Sequence, residues 1–486
     1  MRDGQLQTPQ MKRGTGKDID MDEKPSKLTS IKKIAALQMS FLGLLLQTCL
    51  YAWVWFQMYY PLVRLKLKFY QRGHALILII YLLLLVFFSR TWEGNNVGYS
   101  KPFDVILSQI FTLFTADFIS YFQISLMRNW VVPVWPMLRT FLLQILVAIG
   151  WVYLSDFVYR RVFPPRRMLF IHGDRPSADM LAKFATHPER YRITGSCSAD
   201  QGTEAVIRTI EEEDYHTVVL WEIPTPERNE LIKYCYGHGV RMYVLPKIPD
   251  VLMNGSTQIH VVDTTLYLTK EYALTFGQRF WKRTIDLVCA AILLVLTSPI
   301  FLVTAICVKA YDHGPVFYKQ VRCTRDMKEF YIIKFRSMKV NAESDGKARL
   351  ASKEDARITP VGRFIRKCRI DELPQLINIL RGEMSFIGPR PERPEIIRQY
   401  LEEMPEFAFR TRVKAGLAGY AQVYGRYNTT PYDKLKLDLT YIQHYSVGLD
   451  LKLMLLTLKI LVQPESTEGV ADGQTTALKE HESDRQ

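Results

Sequence analysis

Four long apolar stretches in close succession constrain this chain more than any other feature. They run over 34–60, 75–89, 103–127 and 131–155. Each is near the ~20 residues that a helix needs to cross a hydrocarbon core of ~30 Å, although the second is short. Trp53, Trp55, Tyr59 and Tyr60 crowd one end of the first stretch, as an interfacial aromatic belt does. A soluble bundle is the alternative, but four runs this apolar in a row are rare in soluble proteins. The expectation is a membrane protein of mixed α and α/β type, with four N-terminal transmembrane helices over 34–160. Four spans return the chain to the side on which it began. Lys24, Lys27, Lys32 and Lys33 precede the first span, and Arg160, Arg161, Arg166 and Arg167 follow the fourth. Both ends therefore read as cytoplasmic, although Arg64, Lys66, Lys68 and Arg72 in the first loop oppose that orientation.

At 486 residues the chain has room for two to four structural units. Its net charge of +14 comes from basic residues that flank apolar segments. That placement suits anionic lipid or phosphorylated substrates. It lacks the basic arm with stacking aromatics that nucleic acid requires, so no nucleic-acid partner is expected. The seven cysteines are dispersed, with no CxxC pair, which implies reduced thiols and no zinc site. Residues 1–33 are polar and have no secretory-signal pattern, and 464–486 are polar too. Both read as disordered tails.

Residues 166–255 alternate strand and helix patterns. RRMLFIHGD, TVVLWEI and RMYVLP read as strands; SADMLAKFATHPERY, a stretch near 203–213 and ERNELIKYCYGHG read as helices. This is the signature of a parallel α/β sheet. A dinucleotide site would want G-x-G-x-x-G after the first strand, and only Gly173 stands there, followed by Asp174, Arg175 and Pro176. The expectation is a degenerate Rossmann-like module that regulates or mediates assembly and carries no cofactor.

KRTIDLVCAAILLVLTSPIFLVTAICVKA follows, basic at both ends and broken midway by Ser298 and Pro299. Proline removes a helix hydrogen bond and kinks the chain. From 285 to 298 the rise is only about 20 Å at 1.5 Å per residue, too short to cross. A full span would carry the basic, strand-rich segment beyond Lys309 to the outside. A re-entrant helix over 283–308, kinked at Ser298 and Pro299, keeps both ends cytoplasmic. Asp286 reads either as a helix-start carboxylate or as a partner of Arg283.

The chemistry concentrates beyond this helix. YIIKFRSM supplies Lys334 and Arg336, and RITPVGRFIRKCRIDELPQ supplies Arg357, Arg363, Arg366, Lys367 and Arg369 close to Asp371 and Glu372. GPRPERP holds Arg390 between two prolines. Arginine forks match phosphate oxygens. Carboxylates among cations are expected to have lowered pKa values and to stay ionised, able to bind Mg²⁺ or attack phosphorus. The set fits phosphoryl transfer, in which cations neutralise charge spread over oxygens. Adjacent residues point in different directions, so Asp371 and Glu372 are expected to divide the work at the N-terminus of the helix LPQLINIL, one as nucleophile and one aligning the metal.

KFRSM, the run RITPVGRFIRKCRIDELPQLINILRGEMSFIGPRP, and AGLAGYAQVYGR with DKLKLDLTYI resemble the bacterial sugar transferases, the monotopic polyprenyl-phosphate phosphoglycosyl transferases. The resemblance covers 277–463. More loosely, the four spans and the module resemble the long members that initiate exopolysaccharide, capsule or O-antigen synthesis. It implies that a UDP-sugar, UDP-glucose or UDP-galactose, donates sugar-1-phosphate to undecaprenyl phosphate at the cytoplasmic face of the bacterial inner membrane, releasing UMP. It implies Asp371 as nucleophile forming a covalent phosphosugar intermediate, Glu372 as its partner, and Mg²⁺ at the pair. Arg366 and Arg390 match phosphate-handling positions, with Lys334 and Arg336 nearby, and the re-entrant break matches Ser298 and Pro299. Members often carry a glycine-containing turn after KQVR, where this chain has Cys323, Thr324 and Arg325. Gly416, Gly419 and Gly425 are expected to shape a loop near the sugar or uridine, with Arg426 in reach of a phosphate, and 449–462 reads as an amphipathic or surface-lying helix that either packs against the catalytic domain or rests in the interface. The extra N-terminal regions are compatible with a homodimer. A membrane scaffold or regulator of polysaccharide assembly is the alternative reading.

Overall fold

The computed structural model describes residues 24–64, 71–163, 165–173, 178–188, 190–270, 273–339, 357–425 and 429–462. Most of the first tail, the last tail, Lys66 and Lys68, residues 174–176 and Arg426 lie outside them. The chain forms two compact units, Met1–Leu245 and Pro246–Gln486.

The first unit opens with four helices: α1 (Lys24–Val54, continued by turns to Val63), α2 (Gln71–Thr91), α3 (Pro102–Arg128) and α4 (Trp135–Val162). All four contain membrane-length apolar segments. The second is longer than its apolar run because the polar residues at either end join the helix, giving it 21 residues. Prolines sit in the first turns of α3 and α4, where no helical N–H is lost. Asn129, in the left-handed region at φ 59°, ends α3.

The bundle buries a polar ladder within its apolar core and is apolar on its outer face. Gln47 and Gln144 exchange bonds with each other's backbone carbonyls, at 3.2 and 3.3 Å. Gln144 Nε2 also reaches the Tyr81 hydroxyl at 2.9 Å, and that hydroxyl donates to Asp117 Oδ1 at 2.7 Å. One residue from each helix thus enters a buried ladder. Phe118, Phe122, Leu126, Leu142 and Leu146 face outward. A soluble bundle would distribute these residues the other way round; lipid favours this one, where polar side chains act as interhelical glue. Tyr81→Phe removes the hydroxyl that joins Gln144 to Asp117. It is expected to cost about 1 kcal/mol of bundle stability, read as a lowered Tm of the detergent-solubilised protein.

After α4 come β1 (Arg167–His172), α5 (Ala178–Ala185), β2 (Arg192–Ser198), α6 (Thr203–Glu212), β3 (Thr217–Trp221), α7 (Thr225–Gly237) and β4 (Arg241–Val244). The sheet is parallel throughout, in the order β2-β1-β3-β4. Its central strands are buried on both faces, which explains the unbroken apolar runs MLFI and VVL. A Cβ on Gly173 would lie 2.3 Å from the Glu222 carbonyl oxygen. This glycine therefore permits close strand-end packing within the module.

The second unit begins with α8 (Ile248–Asn254) and a hairpin, β5 (Thr257–Val261) with β6 (Thr264–Leu268). Next comes α9 (Phe276–Asp312), a 37-residue helix that remains continuous through Pro299. Its start is fixed by a capping box between Thr275 and Gln278. Three side chains in its second and third turns root it in the unit. Lys282 Nζ reaches Asp450 at 2.7 Å and the Ile387 carbonyl at 2.9 Å. Arg283 donates to the Ile379 and Leu380 carbonyls at 2.6 and 2.8 Å. Asp286 accepts from Ser385 Oγ and the Phe386 N–H, each at 3.0 Å, so it takes up neither of the roles expected of it. Lys282, Asp286 and Ala290 are buried on one side of Pro299, and Thr304 and Val308 on the other, but no residue of 291–300 is buried. The helix leaves the domain surface before Pro299 and returns to it afterwards, the pattern that a bend at the proline produces. Proline has no N–H for the Val295 carbonyl four residues earlier. The Ser298 hydroxyl donates to that carbonyl at 2.8 Å, which satisfies it inside an apolar segment.

The rest of the unit is compact. Strands β7 (Phe317–Cys323) and β8 (Glu329–Phe335) pair antiparallel; α10 (Pro360–Lys367) and α11 (Gln375–Arg381) follow, and β9 (Ser385–Ile387) pairs parallel with β10 (Gly416–Ala418). Helices α12 (Pro394–Glu403), α13 (Pro431–Gln443) and α14 (Val447–Val462) complete the core.

Candidate active site

Asp371 and Glu372 occupy a single 3₁₀ turn, Ile370–Glu372, between α10 and α11. Sequence reasoning placed them at the start of the following helix; in fact α11 begins three residues later, at Gln375. Arg369 enters the turn at φ 55°, a left-handed conformation that reverses the chain after α10. With about three residues per 3₁₀ turn, neighbours diverge by roughly 120°. Asp371 and Glu372 therefore face different surroundings.

Glu372 is the hub. Its Oε1 accepts from Lys334 Nζ at 3.2 Å and from Arg390 Nη2 at 3.0 Å, while Oε2 lies 3.8 Å from Arg369 Nη1. Only 12% of its side chain is exposed. Burial alone would raise its pKa, but the charges of Lys334, Arg390 and Arg369 outweigh burial and hold the carboxyl well below its ordinary range. The Glu372 charge in turn raises the pKa of Arg390. Burial lowers that of Lys334 despite the same partner.

Asp371 departs from the expectation that cations would lower both carboxyls. Its pKa is raised to about 6, first by burial and then by the adjacent Glu372 charge, with Lys334, Arg366 and Arg369 opposing. Among the described residues its carboxylate makes no hydrogen bond, whereas Glu372 is spent on three cations. One carboxylate gathers the cations and the other is not tied to them by a hydrogen bond.

The elements explain this arrangement. Lys334 sits near the end of β8, on the face opposite Phe335 and Ile333, which enter the core. Asn378, fully buried in α11, locks β8 to the carboxylate segment. Its Oδ1 accepts from the Ile333 N–H at 3.0 Å, and its Nδ2 donates to the Tyr331 carbonyl at 2.8 Å. The sequence reading does not single out Asn378, although a polar residue within the apolar run LINIL is an available signal. Arg366 lies close enough to Asp371 to act on its charge. Arg336 is placed elsewhere: its Nη2 meets Asp312 Oδ1 and the Val308 carbonyl, tying β8 to the returning end of α9. Two further cations border Arg390 without having been singled out. Arg322 donates to the Pro391 carbonyl at 3.3 Å, and burial lowers its pKa to about 10. Lys434, on α13, has its pKa lowered by burial, with Glu392, Arg410 and Arg390 also acting on it.

No cluster of three metal-ligating His, Cys, Asp or Glu side chains occurs among the described residues. Asp371 is the carboxylate of the pair with no hydrogen bond among the described residues, and Mg²⁺ commonly binds one or two carboxylates and completes its shell with water and substrate phosphate.

A cluster of cations around a paired carboxylate is carried on a domain rooted by a long apolar helix. Residues 277–464 match the family described as bacterial sugar transferase. The chain is 43% identical to an uncharacterized sugar transferase, EpsL, of Bacillus subtilis over 190 residues, 39% of this chain and 89% of that protein. It is 41% identical over 186 residues to a UDP-N-acetylgalactosamine-undecaprenyl-phosphate N-acetylgalactosaminephosphotransferase of Aeromonas hydrophila, covering 38% of this chain and 44% of that protein. With an undecaprenyl-phosphate glucose phosphotransferase of Komagataeibacter xylinus it shares 31% identity over 312 residues, 60% of this chain and 58% of that protein. The chain belongs to the bacterial sugar transferase family. The matches to the last two relatives span about half of their length.

Proposed function

We propose that this protein transfers sugar-1-phosphate from a UDP-sugar to undecaprenyl phosphate, releasing UMP and initiating a surface polysaccharide. The observation that carries the reading is the division of labour at 371–372: Glu372 neutralised by Lys334, Arg390 and Arg369, beside an Asp371 with no hydrogen bond among the described residues. In the first step an Asp371 oxygen attacks the β-phosphorus of the donor. An acyl-phosphate P–O bond forms, the bond to the bridging oxygen breaks, and UMP leaves with that electron pair. In the second step an oxygen of undecaprenyl phosphate attacks the same phosphorus, forming the lipid diphosphate and returning Asp371 as a carboxylate. In this reading Arg390 and Lys334, each bonded to Glu372, hold phosphate oxygens, and Arg366 acts beside the nucleophile. Mg²⁺, held by Asp371 and Glu372, would neutralise charge on the donor diphosphate. UDP-glucose and UDP-galactose are the proposed donors. The glucose named for the Komagataeibacter relative supports the first, and the N-acetylgalactosamine named for the Aeromonas relative makes UDP-N-acetylgalactosamine the necessary third candidate.

The acceptor is a lipid, so the site must sit at a membrane surface. Helix α9 supplies the anchor: Leu293, Val295, Leu296, Ile300, Leu302 and Val303 are exposed around its turn at Pro299. In this reading the helix dips into the cytoplasmic leaflet and returns, and the catalytic unit faces the cytoplasm. Cysteines placed singly at Thr284 and at Lys309, in a chain without its native thiols, should both resist a membrane-impermeant maleimide in intact cells and react in inverted vesicles. Opposite accessibility of the two positions would mean a full span.

Purified full-length protein with undecaprenyl phosphate and Mg²⁺ is expected to release UMP from one of the three UDP-sugars. Asp371→Asn should lower the rate at least about a thousandfold, and EDTA should abolish it. Full activity of Asp371→Asn removes the nucleophile assignment. The raised pKa of Asp371 also sets a sign for pH. The nucleophile must be ionised, and its carboxyl is neutral below about 6. The kcat/KM should therefore fall as pH drops through about 6, instead of holding until the ordinary carboxylate value near ~4. A profile flat down to pH ~4 contradicts that environment for Asp371.

A further inference from the structure

Arg390 can serve the site only if its backbone is fixed, and its loop has few means of fixing itself. Pro389 and Pro391 have no N–H to donate, and Arg390, preceding a proline, is excluded from helical conformation. The carbonyls hold the loop instead. Pro389 O accepts from the Gly416 N–H at 2.9 Å, Pro391 O from Arg322 at 3.3 Å, and Glu392 O from the Cys323 N–H at 3.1 Å. The carbonyl of Arg390 itself accepts from Arg410 Nη2 at 3.0 Å.

Arg410 is a buried charge, 4% exposed, in the segment Pro405–Arg412. The same Nη2 lies 2.8 Å from Asp438 Oδ2, and Nη1 lies 3.8 Å from Glu392. The Phe407 ring packs 4.8 Å beneath its guanidinium. Asp438 is 1% exposed and projects from α13, within the DKLKLD stretch to which neither the sequence reading nor the reaction gave a task. Burying this pair is costly in an apolar core, and it meets the Arg390 loop at the Arg390 carbonyl and at Glu392.

We propose that Arg410 and Asp438 are positioning residues for the transfer reaction: they brace the backbone of Arg390 so that its side chain meets Glu372 and the donor phosphates. This rests on the proposed transfer of sugar-1-phosphate. Arginine is required because one nitrogen must serve a carboxylate and a carbonyl together while the guanidinium stacks on Phe407. Lysine keeps the charge but presents a point donor without the planar fork.

The test uses full-length protein in lipid nanodiscs, with UMP release and UDP affinity as readouts and Tm as a folding control. Arg410→Lys is expected to lower kcat/KM about 10- to 100-fold and to weaken UDP binding. Asp438→Asn, which keeps an oxygen acceptor for Arg410, should lose less than Asp438→Ala. In an Arg390→Ala background, Arg410→Lys should change either readout less than about twofold, because a brace has no effect once the arm is gone. Independent, multiplying losses in the double variant overturn the brace and leave Arg410 a merely structural residue. So does wild-type UDP affinity and turnover in folded Arg410→Lys. A wild-type chain that neither binds UDP nor releases UMP overturns the transfer reading instead, and the brace with it.

Discussion

The second unit depends on the rooting of its apolar helix by Lys282, Arg283 and Asp286. These side chains follow directly on an exposed aromatic pair, Phe280 and Trp281, yet Lys282 and Asp286 are buried. Each satisfies a different neighbour: Lys282 the Asp450 carboxylate, Arg283 the C-terminal carbonyls of α11, Asp286 the start of β9. A guanidinium on the last carbonyls of a helix also complements the negative end of its dipole. The α11 segment follows directly on the turn that carries Asp371 and Glu372, so the contacts that root the long helix also bear on the position of that turn.

The electrostatics of the site follow from a similar economy of neighbours. Two adjacent carboxyls could not both be well stabilised in a buried setting by the same few cations. The 3₁₀ turn separates them in direction, and the cations converge on Glu372. Its charge then acts on Asp371 as a buried neighbour of like sign. The result is one carboxylate that is firmly ionised and one whose proton is held more tightly, the kind of separation that assigns different roles to two chemically similar groups.

Behind these first contacts stand groups that never face the reaction. Asn378 joins β8 to α11 and so brings Lys334 to Glu372. Ser298 satisfies the carbonyl that Pro299 leaves without a donor. Arg410 and Arg322 hold the carbonyls of a loop that prolines have stripped of its own donors. All act through backbone groups, and a backbone partner has no signature in the sequence.

The sequence by itself determined what depends on local pattern. Apolar length set the four membrane-length helices, strand–helix alternation set the parallel module, and the Asp-Glu pair among arginines marked the candidate site. Those features are legible because hydrophobic period, chain length and residue type are properties of short segments. The tertiary structure decided the rest. It separated Glu372 from Asp371 and drew Arg336 to Asp312. It also gave Asp286 a partner a hundred residues away in β9 and joined Asp438 to Arg390 through Arg410. Which cation meets which carboxylate depends on how distant segments pack, and no local pattern records that choice.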